Sequence, residues 1–483
     1  MVRIIGFSDY HSHAVPFRAE GRADQGGLAR AVAYLKKARG RGATLVLSGG
    51  DMLNKGVPVW SDELGCVEWP WLDGLVDAMA LGNHDLDYGA EAFATCRASV
   101  RFPILSANLV GVDGTPYFTV DGKPYLVREA GGVRIGVFAL AGPDVQALIA
   151  RDHLPLGTRW LDALDTARAV VRALREDEKV QAVVFIGHQA QKDDEAMARA
   201  VPGIDLILGT HSHSKQPLTT IAGTTTRLVA PFQYLGYLSD LRLTFVRGRL
   251  GAITGGLVRV DATLPADAAV ARRVAEQEKA VEARRPERFA VVGHATAELS
   301  ADGLNEGESL IGNWATEVVR ARAGAHVFFS TSSSFRTGLP PGDVRLEDFY
   351  AAIPYPNKVV TVVLSGAQLL DWLRLSVSRR GSDLTSQLSG ARYAVEDGAP
   401  AGVQVLADPE EPARGFVPLD PAARYRVATT DYQAYVAEGY KQIVAAGTDA
   451  RKTDLDVHAA LLEALKRGPV SARLDGRTGP PPR

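Results

Sequence analysis

Seven side chains in the first half of this sequence are of types that bind divalent metal ions: Asp9, His11, Asp51, Asn83, His188, His211 and His213. They sit in short polar clusters, Ser8-Asp9-Tyr10-His11, Gly50-Asp51, Asn83-His84-Asp85, Gly187-His188 and Thr210-His211-Ser212-His213. Two carboxylates, one amide oxygen and four imidazoles, with no thiolate, suit Zn²⁺, Mn²⁺ or Fe. Seven ligands exceed what one tetrahedral ion needs, and with one carboxylate shared they divide into two sets of four. Two ions roughly 3.5–4 Å apart can bind the attacking and leaving oxygens of an in-line phosphoryl displacement and deprotonate a bridging water near neutral pH. Taken singly, each cluster reads as a turn or a hydrogen-bonded strand end. Their repetition carries the chemistry.

Each cluster follows a short apolar run: RIIGF, TLVLSG, AMALG, AVVFIG and DLILG. Runs of this length without alternation suit strands buried on both faces, which implies helices on either side. Helical spacing lies between them, as in Leu28, Val32 and Leu35. Open α/β sheets place ligand sites at such strand ends, so distant segments are expected to converge on one rim.

A chain of 483 residues predicts more than one core. The expected division is a catalytic domain over 1–262, a charged linking helix over 263–287, a second domain over 288–475 and a flexible tail over 476–483. A net charge of −2 gives no basic field for a nucleic-acid polymer, and no apolar run is long enough to span a membrane. Cys66 and Cys96 are open to either a bridge or two free thiols. The N-terminus reads as cytoplasmic as given, or periplasmic or secreted if a signal peptide was omitted. Oligomeric state is left open.

The order Asp9-x-His11, Gly50-Asp51, Gly82-Asn83-His84-Asp85, Gly187-His188, Gly209-x-His211-x-His213 resembles the calcineurin-like metallophosphoesterases. LSAN at Leu105 to Asn108 and VPGIDLILGTHSH from Val201 are similar to their 5′-nucleotidase and 2′,3′-cyclic phosphodiesterase branch. The resemblance implies an N-terminal four-layer α/β/β/α domain and a C-terminal α/β substrate domain. It implies two divalent ions, Mn or Zn, with Fe, Co or Mg as other candidates. Asp9, His11, Asp51 and His213 would hold one; Asp51, Asn83, His188 and His211 the other, with Asp51 bridging. His84 matches a residue that contacts the reacting phosphate, and Asp87 the carboxylate paired with it. A His held by a carboxylate is fixed in tautomer and more readily cationic. Asp85 is read as a solvated or supporting residue.

In the second half, Tyr355 and Asn357 of PYPN and Tyr432 of TDYQAY match the aromatic positions that stack a nucleobase in that branch. Glu438 matches a ribose-binding carboxylate and Arg336 a phosphate-contacting base. TSSSFR at Thr331 to Arg336 departs from the branch's glycine-rich stretch, and Asn305 stands where a basic residue is common. The expected activity is hydrolysis of nucleoside 5′-monophosphates, with the nucleotide as partner. Alternatives are a cyclic-nucleotide phosphodiesterase, a nucleotide-sugar hydrolase, a thiosulfohydrolase of sulfur oxidation, and a scaffold that binds without turnover.

Overall fold

The computed structural model describes residues 1–56 and 58–479. They divide into two compact units, Met1–Phe17 with Ala23–Arg284, and Arg18–Arg22 with the chain from Arg285 onward.

The first unit holds two six-stranded sheets. In the first sheet Val2–Phe7, Thr44–Ser48, Ala78–Ala80 and Ile104–Leu105 run parallel, and Tyr237–Val246 and Arg249–Arg259 extend it antiparallel. In the second, Val133–Ala141, Ala182–His188, Leu206–Gly209 and Arg227–Pro231 run parallel, flanked by Leu126–Ala130 and Lys215–Thr220. The sheets share one core, in which Ile4, Leu47 and Ala80 lie with Val137, Val184 and Leu208. Helices cover the outer faces. Leu28–Arg39 buries Leu28, Val32 and Leu35, and Ala163–Arg172 packs Ala167, Val170 and Val171 with Phe138 and Phe185. The layers are therefore α/β/β/α. Thr44–Ser48 and Ala182–His188 are buried at every residue, which is why they read as unbroken apolar runs.

The helix Ala268–Arg284 buries Val270, Val274 and Val281 and packs against Leu28–Arg39. Trp60 Nε1 donates to Glu278 at 2.6 Å, and Lys36 pairs with Asp267 at 2.6 Å. Expected as a link between domains, this helix is counted with the first unit because its valine stripe is buried there. Cys66 and Cys96 are disulfide-bonded. The bridge ties the segment before Trp69–Leu72 to the helix Gly89–Ala98, which follows the His84–Leu86 turn.

The second unit is built on a five-stranded sheet ordered Ser386–Ser389, Val327–Thr331, Arg424–Thr430, Lys358–Ser365, Thr448–Asp456. Leu310–Ala323 and Val457–Arg467 form one core with it, through Ile311, Val319, Leu461 and Leu465. Gly366–Ser378 forms the other through Leu369, Trp372 and Leu373. The expected tail is held at its start. Gly476 and Arg477 donate their backbone N–H groups to Glu308 at 3.0 Å each, and the Arg477 guanidinium reaches the Asn313 and Leu388 carbonyls. Pro480 to Arg483 lie outside the described residues.

One buried carboxylate beneath the strand ends yields a pH prediction. Glu68 is 0% exposed, and neither of its oxygens has a hydrogen-bond partner of ordinary geometry. Burial, opposed by its own backbone N–H and the Ser12 and Tyr10 hydroxyls nearby, raises it from 4.5 to about 7. The folded state thus binds more protons than the unfolded one between those values, so this group's contribution to stability falls as pH rises through that window. Glu68→Gln should stabilise the protein at pH 8 by the order of 3 kcal/mol, and the gain should vanish near pH 4.5. Denaturant unfolding at both pH values checks this; an equal change at both would show that Glu68 is not a neutral buried acid.

Candidate active site

The strand ends deliver the predicted residues to one place. Asp9 and His11 follow Val2–Phe7, Asp51 follows Thr44–Ser48, and Asn83 and His84 follow Ala78–Ala80. His188 closes Ala182–His188, and His211 and His213 follow Leu206–Gly209. Asp9, His11, Asp51, His211 and His213 all have φ between 50° and 62°, a left-handed conformation that non-glycine residues adopt at a cost. The turns also require small residues. A Cβ at Gly82 would stand 2.1 Å from Asp51 Oδ1, and one at Gly49 would stand 2.3 Å from Ser8 Oγ.

Ligand atoms group in three overlapping sets: Asp9, His11 and His213; His11, Asp51 and His84; Asp51, His188 and His211. His11 Nε2 stands 3.1 Å from His213 Nε2, and His213 Nε2 is 3.6 Å from Asp9 Oδ1. Asp51 Oδ2 lies 3.3 Å from His188 Nε2 and 3.8 Å from His11 Nε2. His188 Nδ1 donates to the Gly49 carbonyl at 2.7 Å and His11 Nδ1 to the Leu53 carbonyl at 3.2 Å. A carbonyl only accepts, so in the neutral ring, the form that binds a metal, each Nε2 carries the lone pair that faces inward. Asn83 Oδ1 and His188 Nε2 are buried without a hydrogen-bond partner among the described residues. Two imidazole nitrogens facing each other and a buried unpaired amide oxygen are what a pair of divalent cations would satisfy. The residues fit such ions.

The electrostatics agree. Burial penalises the Asp51 carboxylate, but His188, His84 and His11 outweigh it and hold Asp51 well below the usual range. Burial pushes His188 down, yet Asp51 and Asp9 overcome this and raise it to about 9. Burial raises Asp9 to about 6, with His188 opposing and Asp51 adding. Perturbed groups of both signs, packed this closely, mark a functional cleft.

His84 Nδ1 donates to Asp87 Oδ2 at 2.8 Å, and its backbone N–H donates to Asp51 Oδ1 at 2.8 Å. Asp85 is not solvated. It is 1% exposed and accepts from the N–H groups of Gly82 (2.8 Å), Asp51 (3.1 Å) and Met52 (2.7 Å). Asp144, which Gly142-Pro143 sets apart from the run VFALA, is not among the residues that the sequence pattern singles out. Its Oδ2 lies 3.3 Å from His211 Nε2.

In the second unit Arg336 Nη2 donates to the Tyr355 hydroxyl at 2.8 Å, and the guanidinium lies 5.7 Å from that ring's centre. Tyr355 and Asn357 line a small cavity with Ser330, Ser334 and Thr430. Tyr432 is pushed up to about 12 by burial, then by Asp383 and Tyr355, with Arg336 opposing, so these four groups share one neighbourhood. Glu438 stands apart in character: it is exposed and engaged by Lys441 at 2.5 Å and by Gln442.

Residues 2–215 match the family described as calcineurin-like phosphoesterase, and residues 291–445 match the 5′-nucleotidase C-terminal domain. The trifunctional nucleotide phosphoesterase protein YfkN of Bacillus subtilis is 26% identical over 87% of this chain, which spans 32% of that longer protein. The crystal structure of a 5′-nucleotidase precursor from Thermus thermophilus is 25% identical, with a TM-score of 0.77 over 99% of each chain. The sulfate thiohydrolase SoxB of Thermus thermophilus shares the fold, with a TM-score of 0.75 at 21% identity over 99% of this chain and 96% of that one.

Two substitutions separate the roles in the cluster. Asp51→Asn removes the carboxylate that three imidazoles address, so turnover should fall to near background even after chelation and metal reloading. His84→Asn should lower kcat on the order of 10²-fold or more, with metal content unchanged by elemental analysis. Loss of one metal ion per chain in the His84 variant would make His84 a ligand instead.

Proposed function

We propose that this chain, which belongs to the 5′-nucleotidase branch of the calcineurin-like metallophosphoesterases, hydrolyses nucleoside 5′-monophosphates to nucleoside and phosphate. Phosphoester hydrolysis is the family's chemistry; the choice of monophosphate is our reading. The observation that supports it most is the convergence of Asp9, His11, Asp51, Asn83, His188, His211 and His213 beside the His84–Asp87 pair. In this reading Asp9, His11, Asp51 and His213 hold one cation, and Asp51, Asn83, His188 and His211 the other, manganese or zinc. When bound, such a pair supplies Lewis acidity at phosphate oxygens and lowers the pKa of a water molecule. His84 donates its Nδ1–H to Asp87, which favours the imidazolium and turns the ring's other nitrogen toward negative charge developing on the phosphoryl group.

Nucleoside recognition is assigned to the second unit. Tyr355 and Tyr432 offer aromatic faces, which bind any base with little preference among bases. Arg336 donates to the Tyr355 hydroxyl, and its planar guanidinium is of the type that recognises a phosphate. Glu438 is the weakest of the assigned contacts, because Lys441 and Gln442 already compensate its charge. Cyclic nucleotides and nucleotide sugars are the second reading, since the nucleotide phosphoesterase matched above is named for phosphoesters of nucleotides in general. A thiosulfohydrolase substrate would leave both tyrosines without a base to stack.

No helix among the described residues is long and apolar enough to cross a membrane. The Cys66–Cys96 bridge supports an oxidising compartment, periplasmic or extracellular. Thiol labelling of denatured, unreduced protein from its native source should find both cysteines blocked.

The stacking assignment has a direct test. Tyr355→Ala and Tyr432→Ala each remove one face, worth roughly 1–3 kcal/mol per base, or about 5- to 150-fold in kcat/KM for a nucleotide. Hydrolysis of p-nitrophenyl phosphate, which has no nucleobase, should change far less. Equal losses on both substrates would mean the tyrosines are structural and would leave only an unspecified phosphohydrolase.

A further inference from the structure

The imidazoles of the cluster are not all oriented alike. His11 and His188 give Nδ1–H to backbone carbonyls and His84 gives it to Asp87, which leaves Nε2 as the inward nitrogen in each. His211 is reversed. Its Nε2 lies 3.3 Å from Asp144 Oδ2, while the ring still belongs to the ligand set with Asp51 and His188.

We propose that Asp144 is a positioning residue that holds His211 in the Nε2–H tautomer and so presents Nδ1 to the cation shared with Asp51, Asn83 and His188. The inference rests on the two-metal reading. A neutral imidazole carries one N–H and one lone pair, and the partner of the first decides where the second points. A carboxylate accepts only, so it fixes the proton on Nε2.

The setting of Asp144 explains how it does this. It opens the helix Pro143–Leu148 directly after the strand Val133–Ala141. Its Oδ2 also accepts from the Ala190 N–H at 3.1 Å, and Gly142 N–H donates to the His188 carbonyl at 2.9 Å. One carboxylate thus joins three strand ends, two of which carry the ligands His188 and His211. With the Ala190 N–H on Oδ2, His211 Nε2 3.3 Å from the same oxygen, and no place in the sets of ligand atoms found among the described residues, Asp144 is assigned to support a ligand and not to be one itself.

Mn²⁺ titration followed by electron paramagnetic resonance tests this on wild type, Asp144→Ala and Asp144→Glu, with circular dichroism confirming the fold of each. Wild type should bind two ions per chain. Asp144→Ala should weaken one of them 10- to 100-fold, as for loss of other groups that orient metal-bound histidines, and Asp144→Glu should restore part of it. Should the Ala variant not fold, long-range ¹H–¹⁵N spectra of metal-free wild type decide, and they should show His211 protonated at Nε2. Zn²⁺-loaded crystals should show the bond at His211 Nδ1. Protonation at Nδ1, a bond from zinc to Nε2 or to Asp144, or two undiminished Mn²⁺ sites in Asp144→Ala would overturn the assignment while leaving the metal pair intact. Fewer than two ions in wild type would overturn the metal pair and this assignment together.

Discussion

Asp51 is the charge around which the first unit is arranged. It is 1% exposed, and an isolated carboxylate at that depth would be neutralised by protonation. It stays anionic because His188 and His11 address Oδ2 and the His84 N–H addresses Oδ1. His188 is itself fully buried, and Asp51 and Asp9 facing it raise its pKa to about 9 against the pull of burial. Each sign is thus justified by the other. A dication placed among these groups would replace the shared protons and relieve the same desolvation with a stronger charge. Asp85 serves that arrangement from below: by accepting three consecutive N–H groups from Asp51 to Leu53 and a fourth from Gly82, it locks the loop that aims Asp51.

Such a cluster is affordable only on a large core. Five candidate ligands in left-handed conformations cost of order 1 kcal/mol or more each. The sum is comparable to the whole net stability of an ordinary domain, about 5–15 kcal/mol. Two parallel-rich sheets sharing Ile4, Leu47, Val137, Val184 and Leu208 across one interior provide the compensating apolar burial. They also supply the geometry, since neighbouring parallel strands end side by side with their C-terminal turns adjacent. The glycines at 49, 50 and 82 are the local condition for this. At 50 the φ of 86° itself favours glycine, while at 49 and 82 any Cβ would strike a side chain or the Asp51 backbone.

What the sequence revealed follows from the same physics. Strands buried on both faces, such as TLVLS and AVVFIGH, leave an unbroken apolar run, and the polar residue that ends it stands out. The buried parallel strands and the cluster at their ends were legible for that reason, whereas the four layers followed only from the family resemblance. Asp144 was not, because Gly142-Pro143 separates it from its strand and a Pro-Asp pair reads as an ordinary helix start. In sequence Asp85 is open between a solvated and a supporting role, and the second holds, because its carboxylate turns inward to meet the backbone of Asp51 to Leu53, which nothing in five residues announces. The helix Ala268–Arg284 showed its valine stripe but not what buries it. Long-range pairing of this kind, like the Cys66–Cys96 bridge, lies outside what local spacing encodes.

In the second unit Ser332, Ser333 and Ser334 form a short turn whose N–H groups at 332 and 333 are taken by the Thr385 and Asp383 carbonyls. Hydroxyls at 330, 331, 333 and 334 bond among themselves, so these side chains largely satisfy one another's polarity. Arg336 is drawn onto Tyr355, which stiffens that ring and lends it a cationic neighbour. Glu438 is held at the surface by Lys441, whereas Asp383, whose carbonyl clamps the serine turn, is the carboxylate that bears on Tyr432. The charge that bears on Tyr432 therefore comes from the loop that carries Asp383 and not from the segment after Tyr432, where Lys441 and Gln442 already engage Glu438.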